Sequence, residues 1–144
     1  MTRSKQIGYI FEHDLVEKLN TDLHVDSFKR VPGSGAIGTS MGEPSLTADI
    51  VGKIPGFPKK FKIECKAGYG GKTQLTLKRA WLEKIIEEAS KDYSMPLLAG
   101  KFTGARNFKY FFVVPYPDMI YLLELVKDLQ TEIDILYLDR KDKP

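Results

Sequence analysis

Three residues have the types and spacing of a site that cleaves phosphate esters: Asp49 in Thr47-Ala48-Asp49-Ile50-Val51-Gly52, and Glu64 and Lys66 in Phe61-Lys62-Ile63-Glu64-Cys65-Lys66. Side chains alternate between the faces of a strand, so Glu64 and Lys66 share one face while Ile63 and Cys65 point the other way. If the intervening turn pivots near Phe57 or Pro58, antiparallel pairing brings Asp49 opposite a residue between Glu64 and Lys66, where directly opposed Cβ atoms lie about 4.5 to 5.5 Å apart. Two carboxylates so placed can share one divalent cation. Mg²⁺ suits them because it prefers hard oxygen ligands and retains waters that become nucleophiles, and Mn²⁺ is a possible substitute. Phosphodiester hydrolysis needs a deprotonated water, relief of extra negative charge at phosphorus and support for the leaving oxygen. A metal held by Asp49 and Glu64 would meet the last two needs, and Lys66 would orient the water. The same three residues also fit a plain acidic pair and lysine on a solvated sheet face, although aspartate among Ala48, Ile50 and Val51 is a poor strand former.

The elements around these residues read as an α/β order. Ile7, Phe11, Leu15 and Leu19 recur every fourth residue between about Ser4 and Asn20, which predicts an amphipathic helix. From Val31 to Leu46 the chain collects Gly33, Gly35, Gly38, Gly42, Pro32 and Pro44, the chemistry of a loop. Strands are expected over Ala48–Ile54 and Phe61–Ala67 as an antiparallel hairpin, since Pro55-Gly56-Phe57-Pro58 breaks the run between them. Leu82, Ile85, Ile86 and Ala89 mark a helix over about Lys78–Asp92, followed by strands over Leu97–Phe102 and Lys109–Val114. Pro115 and Pro117 precede an apolar helical stretch from about Asp118 to Leu129. Core packing is the expected role for its Met119, Ile120, Leu122, Leu123, Leu125 and Val126, with capping the fold or enlarging a dimer contact as alternatives.

The 144 residues suit a single domain, with a core over about residues 4–115 and a C-terminal extension over about 116–144. Cys65 is the one cysteine, which excludes an internal disulfide or a multi-cysteine zinc site. No run approaches the roughly 18 apolar residues of a membrane span, and no secretory leader follows Met1, so an intracellular, cytoplasmic, DNA-associated protein without a membrane partner is expected. His13 and His24 show no metal-ligand spacing and receive no role. Trp81 and Tyr69 are candidates for exposed aromatics, with the core the better expectation for Trp81, and Gln74 reads as a polar surface residue.

The sequence resembles an archaeal-type Holliday junction resolvase within the PD-(D/E)xK nuclease superfamily. The matching residues run from Gly8-Tyr9-Ile10-Phe11-Glu12 through Arg30-Val31-Pro32-Gly33-Ser34-Gly35, Asp49-Ile50-Val51-Gly52 and Ile63-Glu64-Cys65-Lys66 to Phe111-Phe112-Val113-Val114. The resemblance implies a restriction-endonuclease-like sandwich, a central mixed β-sheet flanked by helices, with a C-terminal helical extension. It further implies Glu12 as an added acid reaching the metal from the first helix, Ser34 near the scissile phosphate, and the Cys65 backbone carbonyl beside Glu12, Asp49 and Glu64 as metal ligands. Gly8, one turn before Glu12, would let substrate or sheet approach that helical face. The thirteen residues between Gly35 and Asp49 form a longer stretch than the family usually has, and the chain after Val114 exceeds the usual core.

Net charge is +3, but it is polarised along the chain. Seven basic residues against Glu64 alone lie between Lys59 and Arg79, and seven acids against three bases between Asp118 and Asp142. Arg30, Lys72, Lys78, Arg79 and Arg106 are the candidate DNA contacts, and such a surface binds phosphates without reading bases. Paired cuts in a four-way junction need two active sites, so the resemblance implies a homodimer. Three readings stay open: a resolvase of four-way junctions, another nuclease of this superfamily acting on linear or repair substrates, and a non-catalytic DNA-binding module.

Overall fold

The computed structural model describes residues 2–32 and 47–142. Its element order is α1 (Arg3–Leu23), β1 (Lys29–Arg30), β2 (Ile50–Gly52), β3 (Phe61–Ala67), α2 (Arg79–Ser90), β4 (Met95–Lys101), β5 (Tyr110–Val113) and α3 (Tyr116–Lys141). The chain forms two compact units, Met1–Val113 and Val114–Pro144. Ser34 and most of the glycine-rich loop lie outside the described residues.

In the first unit a five-stranded mixed sheet runs in the order β1-β2-β3-β4-β5, parallel between β3 and β4 and antiparallel elsewhere. This is the expected sandwich, with α1 packed against β1 and β3, and α2 against β3 and β4. The hairpin turns at Ile54-Pro55-Gly56-Phe57, where Phe57 N–H donates to the Ile54 carbonyl at 3.0 Å and Gly56 has φ +84°. Proline at the second position and a positive φ at the third make it a type II turn, which needs glycine there. Beyond this turn Ile50 pairs with Ile63, and just past the end of that ladder Asp49 N–H also donates to the Ile63 carbonyl at 3.0 Å.

Ile50, Ile63, Met95 and Leu98 are fully buried, and with Phe11, Leu15 and Ile85 they form the core that holds the hairpin to its helices. Central β4 is buried along most of its length, as a strand covered on both faces must be. Gly100 has a packing reason: Phe111 is its partner on β5, and a Cβ there would overlap the Phe111 ring.

Three sequence expectations change in detail. The first helix extends to Leu23, where His24 closes it in the left-handed region. The strand expected over Ala48–Ile54 is trimmed to Ile50–Gly52, and two residues, Lys29 and Arg30, add an edge strand too short to leave a periodic signal. The last helix continues to Lys141 and contains no buried residue, so core packing is not its role. It has favourable ends, with Pro117 and Asp118 in its first turn and Arg140 and Lys141 in its last, each charge matching the helix dipole.

Candidate active site

The β3 face that carries Lys62, Glu64 and Lys66 is read residue by residue by α2. Lys66 Nζ lies 4.9 Å from the centre of the Trp81 ring, Lys84 Nζ lies 3.2 and 3.3 Å from the two Glu64 carboxylate oxygens, and Lys62 Nζ lies 3.2 Å from Glu88 Oε1. Positions 81, 84 and 88 fall on one helical stripe, and 66, 64 and 62 on one strand face. The rise of about 1.5 Å per helical residue and 3.3 Å per strand residue keeps the two series nearly in step. Lys84 is a site residue that the sequence reading missed; its signal is the stripe shared with Trp81 and Glu88.

Glu64 is only 2% exposed. It accepts from Lys66 at 3.2 Å as well as from Lys84. Burial and the nearby Asp49 charge nevertheless push its carboxyl above the ordinary value, against the pull of both lysines. Asp49 stands at the mouth of the hairpin, where its N–H donates to the Ile63 carbonyl at 3.0 Å and its Oδ2 accepts from Cys65 N–H at 2.8 Å. That bond from the neighbouring strand orients the carboxylate and explains why an aspartate is tolerated where strand propensity is against it.

Glu12 arrives from α1. Its Oε2 accepts from Arg30 Nε and a terminal guanidinium nitrogen at 3.0 and 2.9 Å, and the guanidinium stacks 4.3 Å above the Tyr9 ring. Burial, then the Asp49 charge, raises the Glu12 carboxyl, with Glu64 adding a smaller push. Glu12, Asp49 and Glu64 therefore sense one another, and the structure brings all three to one region together with Lys66. Arg30, a candidate DNA contact, pairs with Glu12 in this structure. Burial also pushes the Cys65 thiol well up, with Asp49 and Glu12 reinforcing it, which favours the neutral thiol over the reactive thiolate.

Glu12, Asp49 and Glu64 would offer oxygen donors to a hard divalent cation, whose charge would offset theirs, although as placed here their ligand atoms do not all lie within 4.8 Å of one another. Among the described residues, the trio whose ligand atoms all lie within 4.8 Å is His13, Asp14 and Glu17 on α1, with His13 and Glu17 exposed. The histidine thus does have neighbours at ligating distance, contrary to the sequence expectation. A Cβ on Gly8 would meet nothing within 4 Å, so the sheet does not approach that helical face and the space is open.

The basic candidates cluster where β3 and β4 end together. Thr103 accepts from Gly68 N–H at 3.1 Å, tying the loop after β3 to the loop after β4, and the Lys72 side chain runs beside Gly104 in the loop that carries Arg106. Lys78 lies over the Tyr69 and Trp81 rings, while exposed Arg79 pairs with Glu83 at 2.8 Å. Trp81 is buried and Tyr69 is exposed, so only the second is the exposed aromatic that was expected. Gln74 is exposed as a surface residue.

No curated protein matches the chain. Among solved structures, that of Archaeoglobus fulgidus Hjc, a Holliday junction resolvase from an archaeal hyperthermophile, is 22% identical, with a TM-score of 0.48, over 70% of this chain and 73% of that one. No helix among the described residues is long and apolar enough to cross a membrane. A family model described as "Phage putative PDDEXK endonuclease" matches residues 3–143, and by that match, over a mixed sheet in which Asp49 bonds to Ile63 and Cys65 of the strand that carries Glu64 and Lys66, the chain belongs to the PD-(D/E)xK endonuclease family.

Proposed function

We propose that the protein is a structure-selective, metal-dependent endonuclease that resolves four-way DNA junctions by paired hydrolysis of phosphodiesters, working inside the cell as a homodimer. The observation that carries the catalytic part is buried Glu64 paired with Lys66 at 3.2 Å, with Asp49 bonded to the N–H of Cys65 between them in the chain, and with the Glu12 and Glu64 carboxyls both raised by burial and by the Asp49 charge. Preference for a junction follows from the motif residues that resemble a resolvase and from the basic end of the sheet, which offers contacts to phosphate and no evident reader of base edges.

Glu12, Asp49, Glu64 and the Cys65 carbonyl would hold the cation, Mg²⁺ or its substitute Mn²⁺. When bound, it would stabilise charge on the phosphoryl and leaving oxygens and make a coordinated water more acidic. Asp49, oriented by Cys65 N–H, fixes one side of that ligand set, and Glu64, one strand away, fixes the other. Lys66 holds the attacking water in line and offsets charge on the phosphate, while Trp81 beneath its ammonium limits where that group can go. Arg30, Lys66 and Lys84 pair with the acids before substrate arrives, so three cations are already in place for an incoming phosphodiester. Ser34, outside the described residues, is assigned to the scissile phosphate, and Lys72, Lys78, Arg79 and Arg106 to flanking phosphates.

The test is cleavage of a labelled four-way junction and a matched linear duplex, with Mg²⁺ or with EDTA. Paired symmetric cuts on the junction alone, lost in EDTA, are expected. Equal cutting of duplex would instead make it a general nuclease, and tight junction binding without any metal-dependent cut would leave a binding module.

A further inference from the structure

The second unit holds an apolar series that the nuclease chemistry does not use. Along α3, Met119, Leu122, Val126, Leu129, Ile133 and Leu136 follow one another at alternating intervals of three and four. That is the heptad spacing, with Met119, Val126 and Ile133 at the first position (a) and Leu122, Leu129 and Leu136 at the fourth (d). None of them is buried; Val126 is 63% and Leu136 is 62% exposed. An ordered helix with such a seam in water is an element lacking its partner.

We infer that α3 is a dimerisation element that pairs in parallel with α3 of a second copy of this chain, as a short two-stranded coiled coil. The choice of occupant follows from the residues in the seam. Branched Val126 and Ile133 at a, with leucine at every d, is the combination that packs best in two-stranded parallel pairs. In such a pair each seam residue meets its own counterpart, so the sequence is complementary to itself. Charges agree: Glu124, Lys127, Asp128 and Asp134 fall at outer positions of the heptad, and the seam is neutral until Arg140, next in the series, ends it. Antiparallel pairing would set Asp118 and Asp139 of opposite chains against each other along the rim. From Met119 to Leu136 the seam is about 27 Å long at 1.5 Å per residue. Apolar Leu123, Leu125 and Tyr137 beside it widen the contact. This assigns a surface to the homodimer proposed above and rests on that reading only for the number of chains.

The experiment uses the full chain in sedimentation equilibrium at micromolar concentration, as wild type, Ile133→Asp and the outer-position control Asp128→Lys. The expected result is twice 16.3 kDa for wild type and control, and a dissociation constant raised about 100-fold or more for Ile133→Asp, which would bury two facing carboxylates. Because an aspartate can also fray the helix, Leu136→Cys is oxidised in parallel: parallel helices place the two Leu136 positions face to face, so a disulfide-linked dimer should form nearly completely. A dimer that survives Ile133→Asp and forms no Leu136→Cys disulfide would overturn the α3 seam and leave the homodimer standing on another surface. Monomeric wild type would overturn both, and a trimer or tetramer would overturn two-stranded pairing. Junction cleavage by the same samples reports on the nuclease reading separately.

Discussion

At the start of β3, Lys62 lies between two acids, 3.2 Å from Glu88 and 3.3 Å from Asp92. Two residues further along the same face, Glu64 lies between two bases, Lys66 and Lys84, each at 3.2 Å. Both clusters sit on one strand under one helix, and both contain a buried acid, yet burial and Asp49 raise the Glu64 carboxyl despite its two lysines. The Lys62 cluster is closed: the ammonium also donates to the Glu88 backbone carbonyl, and Lys91 adds a second cation at 3.4 Å from Glu88. Around Glu64 the Asp49 charge adds to burial in raising the carboxyl, and Glu12 senses both acids, which costs the free protein stability and, on the proposed function, favours a cation. The first cluster holds the helix to the sheet; the second holds charge in readiness.

The largest effect separating the two ends should come from Asp49→Asn. It removes a proposed metal ligand without changing shape, and cleavage should fall by about three orders of magnitude, measured as single-turnover rate on the junction at saturating Mg²⁺. The melting temperature of the metal-free protein should hold or rise, because the charge that raises both neighbouring carboxyls is gone. A variant that loses activity by unfolding would break the comparison.

Lys62→Met tests the opposite end. Removing Lys62 leaves buried Glu88 with only the half-exposed Lys91 at 3.4 Å, and the expected loss is about 2 kcal/mol of folding stability, read from urea denaturation. Cleavage per folded molecule should stay within about twofold of wild type, since Lys62 touches nothing in the catalytic group. A large loss of activity in a fully folded Lys62→Met protein would mean that the two clusters act as one.

Lys84→Met should have a smaller and divided effect. Its ammonium competes with a cation for Glu64, so Mn²⁺ should bind about tenfold more tightly to the variant in a calorimetric titration. Cleavage at saturating metal should nonetheless drop about tenfold, the size expected for losing a neighbour that orients a ligand. Weaker metal binding in the variant would show that Lys84 supports the site only as structure.

How these clusters could and could not be read beforehand follows from the distance over which each is encoded. β3 was legible to the residue because Phe61 to Ala67 is an unbroken run bounded by breakers, whereas the register was not, since the turn falls at Pro55-Gly56 rather than near Phe57 or Pro58 and Asp49 N–H meets Ile63. The Glu12 position came from the resemblance rather than from periodicity, and its raised carboxyl depends on Asp49, 37 residues away. Lys84 was missed because a helix stripe reveals which residues share a face but not which strand that face will meet. The pairing of Arg30 with Glu12 was not legible because Glu12 lies 18 positions back in another element. The apolar residues of α3 were legible as a helix, but burial is a tertiary property, and their exposure emerged only with the structure.

The smallest effect is also the one that isolates the electrostatic difference. Glu12 and Glu64 have folded-state values above the ordinary 4.5, so the folded protein holds these two protons more tightly than the unfolded chain does. Their contribution to stability is therefore fully present below 4.5 and is lost as pH rises through the raised values. Other groups titrate in the same range, so the useful quantity is the difference in melting temperature between Asp49→Asn and wild type, measured without metal from pH 4 to 8. Asp49 is a named cause of both shifts, and the variant's advantage should grow with pH, reaching about 1 kcal/mol near neutrality. Adding Mg²⁺ at pH 8 should cancel or reverse that advantage, because the ion binds the wild-type carboxylates and lacks a full ligand set in the variant. An advantage independent of pH would place the effect in the Asp49–Cys65 hydrogen bond rather than in charge, and the contrast between the two ends of β3 would then be one of packing.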